Sequence, residues 1–159
     1  MQNIALTPQH LLSIRTHGES AYPEECCGLL LGTIADSVKT LVEVVPTDNA
    51  WTAEAQDNWP EQKDLTEQRR YAIRPEDMLR AMKHARDRNL DIIGIYHSHP
   101  DCPAVPSECD RALAWAEYSY IIVSVRQGSS EDLRSWSLDA ERNFQAEEIL
   151  AAEPTQIKK

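Results

Sequence analysis

His97, His99 and Asp110 carry side chains that bind divalent metals, and their spacing allows them to meet. The two imidazoles stand two residues apart in His97-Ser98-His99-Pro100, and the carboxylate follows after ten intervening residues. Two nitrogens and one oxygen make a ligand set of the hydrolytic zinc type, which leaves a fourth position for water. Zinc lowers the pKa of such a water to about 7, so hydroxide becomes available near neutrality. Imidazole with carboxylate favours zinc, although other divalent ions accept the same ligands.

The elements around these residues explain how they would converge. Leu90-Asp91-Ile92-Ile93-Gly94-Ile95-Tyr96 is apolar and rich in β-branched residues, which predicts a buried strand over 90–99. Alternate strand residues share a face, so His97 and His99 point one way while Tyr96 and Ser98 point the other. Pro106-Ser107-Glu108-Cys109-Asp110 then opens an apolar helical stretch, Arg111 to Ala116. Ser107 suits the N-cap and Asp110 the N3 position, from which a side chain reaches back past the helix start. By themselves these two residues read as a capping box that binds nothing. The histidine pair just upstream makes one strand–loop–helix unit offer three ligands to one point.

Amide hydrolysis also needs a group that takes a proton from water and returns it to the leaving amine. Asp101 reads as a solvated loop residue, and Glu108 as a first-turn acid favoured by the helix dipole. A better candidate lies in Pro23-Glu24-Glu25-Cys26-Cys27-Gly28-Leu29-Leu30-Leu31-Gly32, where an acidic pair enters an apolar strand. A carboxylate at the mouth of a buried strand is costly without a function or a partner. Glu24 reads as exposed.

Pro23-x-Glu25-x-Cys27-Gly28, His97-Ser98-His99-Pro100 and Ser107-x-x-Asp110 together resemble the JAMM (MPN-plus, JAB1/Mov34/PAD-1) metalloprotease family, in its short prokaryotic JAB branch. The resemblance runs from about Thr7 to about Leu138, and no motif position departs from the family pattern. It implies that His97, His99 and Asp110 bind one zinc ion. It implies Glu25 as general base and then general acid, and Ser107 as a hydroxyl that steadies the oxyanion, a role expected to compete with N-capping. The implied fold is the cytidine-deaminase-like MPN/JAB fold. The implied activity is cleavage of a peptide or isopeptide bond at the C-terminal tail of a ubiquitin-like or sulfur carrier protein, with the tail laid along the enzyme as an added strand.

Two alternatives come from other classes. One is an idle binding module for a ubiquitin-like partner, which has no need of the ligand set. The other is a small-molecule zinc hydrolase such as a deaminase, whose usual Pro-Cys-x-x-Cys run is absent.

Composition agrees with these expectations. The 159 residues fit one domain, and 42% hydrophobic content is enough for one core. A TIM-barrel hydrolase needs roughly 200 residues or more. A formal charge of −10 without a basic stripe predicts no nucleic-acid partner. The sequence has no apolar leader and no membrane-length run, which predicts a cytoplasmic protein with no membrane partner. Cys26, Cys27, Cys102 and Cys109 lack Cys-x-x-Cys spacing and read as reduced thiols. Cys102, three residues past His99, is near enough in sequence to visit the metal's open position.

Along the chain, Thr7-Pro8 predicts the start of a helix with a stripe of Leu11, Ile14, Gly18 and Ala21, ended by Pro23. A hairpin follows, Cys26–Ile34 and Val38–Val45 around Ala35-Asp36-Ser37. Residues 46–70 read as a long polar insert, either a lid or partner arm carrying Trp51 and Trp59 or a segment whose two rings pack onto the core edge. Arg69–Ile73 predicts a short strand, and Pro75 a helix buried through Met78, Leu79, Met82 and Ala85. His10 and His84 read as exposed. Strands are expected over Tyr118–Val125 and Leu133–Leu138, a short strand or helix over Phe144–Leu150, and a frayed tail from about 151. The class is α/β in three layers, with a mixed, mostly antiparallel curved sheet flanked by helices.

Overall fold

A computed structural model describes residues 3–50 and 71–152. Of the expected insert at 46–70, Pro46 and Thr47 belong to a strand that ends at Thr47, and 51–70 lie outside the described residues, as does the tail beyond residue 152.

Helix α1 (Pro8–Ala21) begins where the sequence predicts it. Thr7 is the N-cap, and its hydroxyl accepts the His10 backbone N–H at 3.1 Å. The His10 ring closes the capping box, because its Nδ1 accepts the Thr7 N–H at 3.1 Å. His10 is therefore half-buried and structural. Strands β2 (Cys27–Ala35) and β3 (Val38–Thr47) pair as the expected hairpin. Its turn residues, Asp36 and Ser37, both have positive φ (53° and 65°), the geometry that matches strand twist.

Helix α2 (Pro75–Asp87) forms as predicted but buries a different line. Ala81 and Ala85 are buried and Met78 packs beside them, whereas Leu79 and Met82 are 55% and 53% exposed. Two alanines let the helix lie close on the sheet, and this decides the face over the larger apolar side chains. No regular strand forms over 71–73.

Strand β4 (Asp91–Pro100) leads into a short helix, α3 (Glu108–Leu113). The sequence predicts helix as far as Ala116, yet Ala114 is extended. Tertiary contacts end the helix: the Trp115 N–H donates to the Tyr120 hydroxyl at 2.6 Å, and the Arg142 guanidinium donates to the Ala114 carbonyl at 3.1 Å. Strands β5 (Ser119–Arg126), β6 (Ser129–Leu138) and β7 (Phe144–Ala151) follow among the described residues.

The sheet is mixed as expected, with four antiparallel pairings. It also closes, in the order β1-β3-β2-β4-β5-β6-β7. Closure depends on β1 (Asn3–Leu6), an element absent from the sequence reading, which pairs in parallel with both β3 and β7. All seven strands send apolar side chains to one inner cluster around Ile4, Leu30, Leu41, Ile121 and Val123, on which α1 packs through Ile14. The outer face of β2, β4 and β5 packs on α2 through Leu29, Leu31, Ile95 and Tyr120.

Side chains of α1 also reach the margins where strands lack a second neighbour. His10 Nε2 bonds the Val42 carbonyl at 3.2 Å, Arg15 donates to the Glu131 carbonyl at 2.8 Å, and the Glu19 carboxylate accepts the Ser130 N–H at 2.8 Å. Inside the sheet lies a buried polar chain. Lys39 Nζ donates to Ser119 Oγ at 2.8 Å, and the Ser119 and Ser135 hydroxyls donate to Glu147 at 3.0 and 2.6 Å.

Candidate metal centre

Strand β4 delivers the two histidines on one face, as its periodicity predicts. Tyr96 turns the other way, into the inner cluster, and its hydroxyl meets His17 Nδ1 at 2.7 Å. The Tyr96 ring occupies the space above Gly28, where a Cβ would sit 2.2 Å from it, so only glycine fits there. Ser98 Oγ accepts the Cys26 N–H at 2.8 Å, which locks the start of β2 to the end of β4.

His97 and His99 are 0% and 8% exposed. Asp110 reaches back from the first turn of α3 to join them. His97 Nε2 lies 3.2 Å from His99 Nε2 and 3.3 Å from Asp110 Oδ1, while His99 Nε2 lies 3.2 Å from Asp110 Oδ2. A tetrahedral ion with ligands roughly 2.0–2.1 Å away holds them about 3.3 Å from one another. Each ring comes to that spacing from one of the two Asp110 oxygens, and the three residues form a group that could hold a metal ion.

The protonation states suit that task. Burial pushes His97 down, against the pull of Asp110, and so favours the neutral imidazole that binds metal. Burial alone would raise the Asp110 carboxyl, but the adjacent His97 and His99 rings outweigh it and hold it well below the usual carboxylate range. His99 Nδ1 bonds the Pro103 carbonyl at 2.8 Å, which places the ring proton there and leaves Nε2 with its lone pair.

The other two predicted residues border the same place. Glu24 is exposed and Glu25 is 4% exposed, as the sequence reading requires. Cys27 pairs with His97 across β2 and β4, which brings the residues just before β2 beside the end of β4. Glu25, His99, Pro100, Cys102, Pro103, Val105 and Ser107 line one cavity of about 160 Å³. A larger groove of about 510 Å³ between β3 and α2 contains none of the three donors.

Ser107 caps α3: its Oγ accepts the Asp110 N–H at 3.0 Å, and Asp110 Oδ2 accepts the Ser107 N–H at 2.9 Å. The cap engages the Ser107 oxygen as an acceptor and leaves its hydroxyl hydrogen outside the box. A hydroxyl has two acceptor positions and one hydrogen, and the cap uses only an acceptor position. The capping box and the donor group are also one device, because the cap orients Asp110.

Cys102 shares the cavity but not the donor group. Cys26 and Cys27 are buried thiols, pushed up to about 12 chiefly by burial.

Two residues at the site were absent from the sequence reading. The Tyr71 ring stacks on His97, with centroids 4.4 Å apart and planes 23° from parallel. Asn49 Nδ2 donates to the Glu25 carbonyl at 3.0 Å, and Asn49 Oδ1 accepts the Ala72 N–H at 3.0 Å. Both contacts join segments far apart in sequence, and no local pattern announces them.

Comparison with known proteins gives a consistent picture. Residues 7–139 match the family described as prokaryotic homologues of the JAB domain. Two proteins named desampylase are similar. The one from Haloferax volcanii is 31% identical over 104 residues, 64% of this chain and 63% of that protein. The one from Pyrococcus furiosus is 45% identical over 40 residues, 25% of this chain and 29% of that protein. The chain thus spans less than two thirds of either relative. Among solved structures, a protein from Desulfitobacterium hafniense superposes with a TM-score of 0.77 at 27% identity, covering 95% of this chain and 94% of that one. One from Salinibacter ruber gives 0.68 at 35% identity, covering 100% and 96%. A JAB1/MPN domain protein from Archaeoglobus fulgidus shares the fold, with a TM-score of 0.53 at 18% identity over 96% and 98%.

Proposed function

The chain belongs to the prokaryotic JAB-domain family, and on that premise we propose that it is a zinc-dependent isopeptidase acting on a ubiquitin-like modifier. The observation that carries this reading is the triangle of donors from His97, His99 and Asp110, at the spacing of a tetrahedral ion, beside a cavity that holds Glu25 and Ser107. The names of the two desampylase relatives support a modifier protein as substrate. A module that only binds such a partner has no use for the donor triangle.

Zinc held by these residues would supply a Lewis acid and lower the pKa of water at neutral pH. The rest falls to the side chains. Glu25 takes a proton from the attacking water on its carboxylate and returns it to the leaving lysine amine. The Ser107 hydroxyl donates its hydrogen to the scissile carbonyl oxygen as negative charge grows there. His99 keeps its Nε2 lone pair on the metal side through the bond to Pro103.

Glu25→Gln should retain zinc yet lose turnover by a factor of at least about 100. His99→Ala should lose metal as well. The assay is cleavage of a modifier joined to lysine by an isopeptide bond, with metal content measured on the same samples. Near-normal turnover by Glu25→Gln would transfer the proton role to another acid. Failure of the zinc-loaded wild-type protein to cleave any modifier or carrier-tail conjugate would overturn the function.

A further inference from the structure

The two histidines are held in different ways. A metal-binding histidine usually fixes its ring plane by donating its second N–H to an acceptor. His99 does so through Pro103. His97 Nδ1 is buried and has no hydrogen-bond partner among the described residues. The His97 ring instead lies against the Tyr71 ring, 4.4 Å away and within 23° of parallel. Such face-on contact restricts tilting of the imidazole, because rotation about its Cβ–Cγ bond would drive ring atoms into the neighbour.

Tyr71 sits on a segment without regular secondary structure, so something must hold the segment. The Ala72 N–H donates to Asn49 Oδ1 at 3.0 Å, and the Ala72 carbonyl accepts the Ala50 N–H at 2.8 Å. The other end of the same Asn49 amide donates to the Glu25 carbonyl at 3.0 Å. One amide side chain thus spans from the backbone of Glu25 to the backbone beside Tyr71.

We propose that Tyr71 is the positioning residue for His97, acting through ring stacking, and that Asn49 is the clamp that holds Tyr71 in place. The contact depends on a flat ring and makes no use of the phenol hydroxyl. The zinc part of this inference rests on the proposed function; the stacking part does not.

The test uses the full chain, stripped of metal, and two readouts. One is the NMR shift of the His97 ring protons, which the current of a stacked aromatic ring moves upfield. The other is zinc affinity, from titration of zinc chloride against a chromophoric chelator. Tyr71→Leu fills similar space without a ring. It should move the His97 protons downfield and weaken zinc binding about 10–100-fold, the range for loss of a ligand's supporting contact. Tyr71→Phe should keep the wild-type value of both. Asn49→Ala should move the same His97 resonances in the same direction, and it carries the test if Tyr71→Leu does not fold. Unchanged His97 resonances in a folded Asn49→Ala or Tyr71→Leu protein would overturn the proposal. So would Tyr71→Phe behaving like Tyr71→Leu, since that assigns the effect to the hydroxyl. If the wild-type protein takes up no zinc, the proposed function fails while the His97 shifts still decide the stacking.

Discussion

The observed cap and the proposed hydrogen donation meet at one oxygen of Ser107, and substitution can separate them. Ser107→Ala removes both the cap and the hydroxyl hydrogen. It should cost about 1 kcal/mol of stability together with turnover. Ser107→Asp keeps an N-cap acceptor but offers no hydrogen at neutral pH, so its melting temperature should stay near wild type while turnover falls as for alanine. Thermal denaturation beside the cleavage assay checks the split. Equal activity of Ser107→Asp and wild type would remove Ser107 from the proposed chemistry. At this scale the sequence was informative where chemistry demands particular residue types at particular offsets. His97, His99 and Asp110 are such residues, and they meet as expected. Tyr71 was not legible, because an aromatic residue 26 positions before His97 has no preferred partner until the chain has folded.

Elements were readable where a local rule governs them and misread where a distant contact does. Thr7-Pro8 starts α1 as capping chemistry requires, and the β2–β3 hairpin turns at the expected residues. Helix α3 stops early because Arg142 and Tyr120, both later in sequence, take its last backbone groups. The capping box of α1 also makes a pH prediction. Both His10 ring nitrogens are engaged, Nδ1 as an acceptor, so the folded state needs the neutral ring. Burial pushes His10 below its ordinary value, against the opposing pull of the Val42 carbonyl. The unfolded chain therefore takes up the proton first. Stability from this group is complete well above about pH 6.5, the unfolded value, and is lost as pH falls from there through the lower folded-state value. His10→Gln preserves the box with a group that does not titrate. Urea denaturation at a series of pH values should show a shallower acid-side slope for His10→Gln, and an identical slope would refute the coupling.

For the molecule as a whole, composition and element order gave the mixed sheet between helices, but not its closure. A four-residue strand such as β1 is too short to show periodicity, and only the pairing partners on β3 and β7 define it. Lys39 and Glu147 were equally silent, since each lies in a strand where alternation places it inward among apolar neighbours. Burial pushes the Lys39 ammonium down while Glu147 opposes that shift, so the pair shares one buried charge balance. Glu147→Ala leaves the ammonium without its counter-charge and should cost roughly 3–5 kcal/mol of unfolding free energy. A loss under 1 kcal/mol in chemical denaturation would show that water reaches Lys39.

The reach of α1 to the strand margins bears on how copies of this chain treat one another. Where β3 outruns β1 and β6 outruns its pairing with β7, backbone groups would be open to a foreign strand. His10, Arg15 and Glu19 occupy some of those groups from the helix side. Freed backbone of this kind is a template for edge-to-edge association. A chain carrying Arg15→Ala and Glu19→Ala should stay folded yet gain concentration-dependent light scattering that wild type lacks, so that one helix, besides filling the core, keeps the sheet solitary.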